Sequence, residues 1–200
     1  MARVLLVLAL AALALPATTA AMAAGATEQN LLGKNPGTAP AFSCFSRHYD
    51  AAHLMAHPKQ SVRDITVFVD SSFDAESQSR ITNLEMGVLF RRLKTQFEVS
   101  GSCSTIDGQK SLTCGVDCDG GHFDVTTQGT QSLLVAVPDG VRMWDPTASD
   151  DADPGELPKG AEFGKDDKLF RLDRVPVEQC RSLMTDEAKT AIFGTAGAGK

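Results

Sequence analysis

Beyond Gln60, apolar residues return at every second position, the period of a strand with one face buried. Ile65, Val67 and Val69 alternate with Thr66, Phe68 and Asp70, and Met86, Val88 and Phe90 alternate with Gly87, Leu89 and Arg91. Phe97, Val99, Gly101 and Cys103 continue the pattern. After the turn signal Asp107-Gly108, Leu112, Cys114, Val116 and Cys118 take up the same face. Gly120-Gly121 turns the chain toward Phe123 and Val125, Ser132 to Val137 is a fuller apolar run, and Asp139-Gly140 leads to Val141 and Met143. A last strand runs from Lys168 to Val175.

The period changes on either side of this block. Phe45 to His57 reads as a helix, supported by Asp50, Ala51, Ala52, Leu54, Met55 and Ala56 and ended by Pro58. Pro176 starts a closing helix that contains Val177, Cys180, Leu183 and Met184. The prediction is a mainly β protein: an antiparallel barrel or sandwich of about eight strands, with an N-terminal and a C-terminal helix.

The first residues belong to a different pattern. Met1-Ala2-Arg3 is positive, Val4 to Leu15 is apolar, and Pro16 leads into small residues ending Ala21-Met22-Ala23. That is the layout of a secretory signal peptide over residues 1–23. Its apolar stretch is too short to span a hydrocarbon layer of about 30 Å as a helix. Residues 24–40 read as a flexible lead-in, 41–186 as a single β domain with an acidic, Pro/Gly-rich loop at 145–167, and 187–200 as a flexible tail. The expectation is an exported protein, periplasmic or secreted, with no membrane anchor after cleavage.

The order of helix, eight strands and helix resembles the layout of lipocalin-type barrels, although the Gly-x-Trp phrase of that superfamily is missing and Trp144 lies late in the chain. The phrases YDAAHLMAHPKQ, CDGG and DDKLFRLDR also resemble those of small bacterial exported proteins to which no function is attached. Neither resemblance implies a reaction.

Charge narrows the partners. The chain carries −6, or −7 once Arg3, the leader's one charge, is removed. Such a surface repels phosphate backbones, and Arg91-Arg92-x-Lys94 is too small a cluster to reverse that, so nucleic acid is not expected.

The five cysteines enter an oxidising compartment if the leader is read correctly, and two bridges with one odd thiol follow. Cys103 and Cys114 flank a hairpin turn on the inward face, with Cys118 as a competitor for Cys103; Cys44 and Cys180 sit at the two ends of the strand block, in the flanking helices. Cys114, Cys118 and His122 form a loose zinc spacing that competes with these bridges.

Three of the four histidines crowd into one phrase. On a helix, Asp50, His53 and His57 share a face and can hold a divalent metal, whereas His48 points away. Asp117, Asp119 and Asp124, and separately Asp151 to Glu162, approach calcium-loop spacings without completing them. The tail GTAGAGK copies a phosphate-loop spacing but lacks the following Ser or Thr and helix. No local nucleophile motif is present, so the sequence leans away from an enzyme and away from a cofactor, the divalent metal excepted. The first expectation is a non-catalytic binding protein for a small apolar ligand or an envelope partner. A metal-binding protein or metal-dependent enzyme using Asp50, His53 and His57 is the alternative.

Overall fold

The computed structural model describes residues 25–105, 111–148 and 157–194. Eight strands form one closed antiparallel barrel in which each strand pairs with its neighbours in sequence. They are β1 (Ala41–His48), β2 (Val62–Asp74), β3 (Ser79–Phe90), β4 (Gln96–Thr105), β5 (Ser111–Gly115), β6 (His122–Gln128), β7 (Ser132–Ala136) and β8 (Leu169–Val175). The closing seam pairs Cys44 with Val175, Phe45 with Arg174 and Ser46 with Asp173. Barrel and sandwich are thereby distinguished; where β4 runs past β5, an isolated bridge ties Glu98 to Trp144.

The alternation does what its period demands. Val67, Met86, Phe97, Phe123, Leu133 and Leu172, from six of the strands, point inward and are each 0% exposed. A void able to admit one water exposes its lining, so side chains at zero exposure form a packed interior. Outward positions carry Asp70, Glu85, Glu98, Thr113, Asp124 and Arg171. This is the reverse of a membrane-spanning barrel, whose outer band is apolar. Among the described residues no helix is long and apolar enough to cross a membrane.

Two strand expectations change places. Phe45 to His48 belongs to β1, and helix α2 is confined to Ala51–Ala56. The predicted helix reached too far because Phe42 and Cys44, on the outer face, are also apolar and blur the alternation. Both pack under the C-terminal segment with Phe68. In the other direction, Val141 and Met143 form no strand: only isolated bridges tie Gly121 to Val141 and Glu98 to Trp144.

The ends of the barrel are closed differently. The expected flexible lead-in contains helix α1 (Ala26–Leu32), whose Leu31 and Leu32 are buried. This helix touches both β1 and β6, which lie apart in the closed order, so it crosses the mouth. Arg174 Nη2 donates to the carbonyls of Asn30 (2.9 Å) and Leu31 (2.8 Å), and Ser43 Oγ donates to Leu31 O at 2.8 Å. At the opposite end all the longer connections gather, and Ala161 and Phe163 fill the mouth. The Phe163 ring sits 5.9 Å from Phe90 and 6.3 Å from Phe170.

The C-terminal segment lies outside the barrel. The expected closing helix is a 3-10 helix, Val177–Leu183, and the expected flexible tail is helical as far as Phe193 in α3 (Asp186–Phe193), capped by Thr185 Oγ1 accepting from Ala188 N. Cys180, Leu183, Met184 and Ala188 cover Cys44 and Phe68. The disulfide Cys44–Cys180, with Cα atoms 5.8 Å apart, fastens this cover to β1, so Cys44 sits on a strand rather than in a helix.

Candidate functional site

Side chains that carry chemistry collect at the loop end. Asp167 is the residue that builds it. Its carboxylate is 0% exposed, accepts from Ser61 N and Gly164 N at 2.7 Å each, and accepts a longer bond from Val62 N. One side chain thus ties the 157–167 segment to the start of β2. Burial pushes the carboxyl above its ordinary range, while the three backbone donors pull the other way and leave a net rise. Gly164 lies so close to this start that a Cβ would sit 1.9 Å from Lys59 O. No signal in the sequence marks Asp167, since the charged run Lys165-Asp166-Asp167-Lys168 reads as loop.

The Asp50, His53 and His57 group is only partly assembled. Asp50 Oδ1 accepts from His53 N at 2.7 Å and caps α2. Gln60 Nε2 donates to Val62 O, which turns Gln60 Oε1 toward His53 Nε2 at 2.9 Å. His57 Nδ1 donates to His53 O at 3.0 Å, and the two imidazoles stack with centroids 4.2 Å apart. The structure therefore brings His53 and His57 together but spends Asp50 on the helix end. Among the described residues no three His, Cys, Asp or Glu side chains are placed to hold a metal ion. Tyr49 packs against His53 and Phe170, and burial raises its hydroxyl above the usual value.

The cysteine expectation resolves into Cys103–Cys114, directly opposite each other on β4 and β5 with Cα atoms 4.0 Å apart, and Cys44–Cys180. Cys118 does not compete, because β5 stops at Gly115 and the chain turns: Cys118 and Asp119 take φ of 58° and 57°, which carries the thiol off the inward face into solvent. With Cys114 bridged, the Cys114, Cys118 and His122 set loses a zinc ligand. The disulfides belong to an oxidising, extracytoplasmic setting. Asp124, the third of the acids near Gly120, instead accepts from Thr113 Oγ1 across β5 and β6. The leader, the Asp107-Gly108 turn, Asp151 and Asp153 of the second calcium spacing, and tail residues 195–200 lie outside the described residues.

Between the β5–β6 turn and the segment after β7 lies an open pocket of about 540 Å³, with Asp119, Asp139, Glu162, Arg142 and Lys168 on its walls. Two glycines shape it. A Cβ at Gly120 would meet Val116 Cγ1 at 2.5 Å and Asp117 O at 2.9 Å, and Gly121 takes a φ of 84°. That close approach lets Arg142 N donate to Gly120 O (2.8 Å) and Val116 N to Gly121 O (3.0 Å), fixing residues 139–144 against the turn. Trp144 continues the attachment through paired backbone bonds with Glu98. Beside it, Val116, Cys118, Met143 and Trp144 line a smaller recess of about 350 Å³.

Elsewhere, Asp70, Glu85 and Glu98 lie half-buried on the outer face of β2, β3 and β4. Burial raises all three carboxyls, with mutual repulsion adding to the rise of Glu85 and Glu98. Among the described residues the imidazole–carboxylate contact is His48 with Asp64, exposed on the outer face and shared with Arg63. No serine or cysteine is hydrogen-bonded to that imidazole among the described residues. No family model, curated protein or solved structure matches the chain.

Proposed function

We propose that the chain is an exported, non-catalytic binding protein, periplasmic or secreted, that engages a partner protein with the loop end of its barrel. The observation that carries the reading is a contrast between inside and rim. Midway along the barrel the interior is occupied by the protein's own side chains, and the open space lies at its two ends, in a cleft of about 700 Å³ between α1 and β3–β5 and in the loop-end pocket. The rim offers an open pocket of mixed charge, framed by glycine turns and held on a rigid scaffold, the usual placement of recognition surfaces. A leader and two disulfides agree with action outside the cytosol.

Photo-crosslinking in the source cell tests it. A benzophenone amino acid at Asp119 or Asp139 is expected to give one adduct of defined mass, absent when the probe stands at Ser102, on the outer face of the barrel. Adducts of equal yield from all three positions, or none from the rim, would refute a loop-end recognition site.

A further inference from the structure

A second cleft at the same end is built for an anion. We infer that the space between the start of β2 and the β3–β4 turn binds a tetrahedral oxyanion, such as phosphate or a phosphoryl or sulfuryl group on a larger ligand. It is separate from the mixed-charge pocket, and the inference does not depend on that pocket's role.

Lys59, Arg91 and Arg92 converge on it from two chain segments, together with Gln60, Ser61 and Gly160, and no carboxylate belongs to its lining. Its volume of about 220 Å³ is below the range of drug-sized sites, about 300–1,000 Å³, and suits a small charged group. Arg91 is set in advance: its Nη1 donates to Gln60 O at 3.0 Å and its backbone N to Ser61 O at 2.8 Å. A guanidinium held this way keeps its remaining N–H groups for a ligand at little further ordering cost. Ser61 adds a hydroxyl, and Gly160, at a φ of 98°, leaves open space where a side chain would stand.

Several surface cations of the barrel are paired, and what marks this cleft is three cations in one lining without a carboxylate. Arg47 and Arg171 pair with Asp173, Arg63 with Asp64 and Lys189 with Asp186. Among the described residues, the side chains of Lys59 and Arg92 make no such pair, although the whole chain is at −6 and acids are plentiful. The adjoining stretches add Lys94 and Lys159 and one acid, Glu162, which lines the mixed-charge pocket rather than this cleft. Asp166, whose backbone N donates to Lys59 O at 3.5 Å, and Asp167, engaged by the backbone donors of Ser61, Val62 and Gly164, belong to the neighbouring segment and not to the lining. A local positive field on an acidic protein is a focused attraction for an anion.

The test is a ¹⁵N-resolved titration of the mature, disulfide-intact protein with sodium phosphate replacing sodium chloride at constant ionic strength. Saturable shifts are expected at the amides of Gln60, Ser61, Arg92 and Gly160, with sulfate acting alike. Arg92→Gln and Lys59→Gln should each weaken binding by about tenfold or more, the loss of one charge-assisted contact, while Lys189→Gln on α3 leaves it unchanged. Shifts that do not saturate, that chloride reproduces, or that persist at full affinity in Arg92→Gln would overturn the assignment. A second arm identifies the source of the anion: flotation with phosphatidylglycerol vesicles that phosphate competes away points to a lipid headgroup, and failure to float with the titration intact points to a soluble oxyanion.

Discussion

Replacing Asp167 probes the joint that holds the loop end shut. In Asp167→Ala the amides of Ser61 and Gly164 each lose an acceptor at 2.7 Å, and Val62 N loses a weaker one. A buried donor left unsatisfied costs roughly 1–3 kcal/mol, so two good bonds put the loss at about 2–6 kcal/mol. At about 2–4 °C per kcal/mol for a chain of this size, the midpoint of thermal unfolding falls by roughly 5–25 °C. Asp167→Asn separates geometry from charge, because its amide oxygen can stand where Oδ2 stands and keep both short bonds. It also removes a carboxylate whose ionised form is disfavoured by burial. With a folded pKa above the ordinary value, the Asp167 contribution is most favourable below the unfolded pKa and declines as pH rises through the folded one. The asparagine variant should therefore match or exceed the parent near neutral pH and lose that part of the pH dependence. Urea denaturation across pH, with amide exchange at Ser61 and Gly164, reads both effects. An alanine variant within about 0.5 kcal/mol of the parent, with exchange at those amides unchanged, would refute the role assigned to this carboxylate.

Removing the Cys44–Cys180 bridge as Cys44→Ala/Cys180→Ala opens a loop of 136 residues and should cost about 3–5 kcal/mol in denaturant while leaving the far-ultraviolet spectrum of the barrel, since the covered cluster lies outside the interior; a cost below about 1 kcal/mol would contradict it. Glu85→Gln keeps an acceptor for Ser100 Oγ and removes one charge from the Asp70, Glu85 and Glu98 group. Because burial raises these carboxyls, their ionisation weakens the fold as pH rises through the raised values, so the variant should be more stable than the parent near pH 7 and equal to it near about pH 3. A variant less stable at neutral pH would show that the group is held by contacts other than those described.

The barrel was legible where one face of a strand meets the interior and the other meets water. Residues 65–70, 86–90 and 97–103 satisfy that condition apart from Phe68 and Gly87 and fall in β2, β3 and β4, whereas the hairpin arms 71–74 and 79–85, poorer in alternating apolar residues, did not show in the pattern. It failed at β1, where Cys44 is buried and Phe42 partly buried on the outside by a segment more than 130 residues later, a contact that no local window contains. It failed in the opposite sense at Val141 and Met143, which bury against the closing segment of the loop end and not in the sheet. Leu31 and Leu32 offered too short a pattern to announce a helix that crosses the barrel mouth. At the loop end, Gly120-Gly121 marked a turn, yet the need for glycine comes from Val116, Asp117 and Arg142 around it. The shared face of Asp50, His53 and His57 assumed a longer helix; α2 starts at Ala51, which makes Asp50 a cap. Both disulfide pairings were among those the sequence offered, but the choice between Cys114 and Cys118 for Cys103 was open until the β4–β5 register placed Cys103 opposite Cys114.

The central claim is that the barrel is filled by its own side chains and that recognition takes place on its rim. A titration of the mature, disulfide-intact protein with a fluorescent polyene fatty acid tests it most directly. The account predicts no saturable binding under native conditions, with any weak signal untouched by Val135→Trp, which adds bulk inside. Stoichiometric binding that Val135→Trp abolishes in a folded variant would contradict it, because it would place the ligand in a space the structure assigns to Val67, Met86 and Leu133.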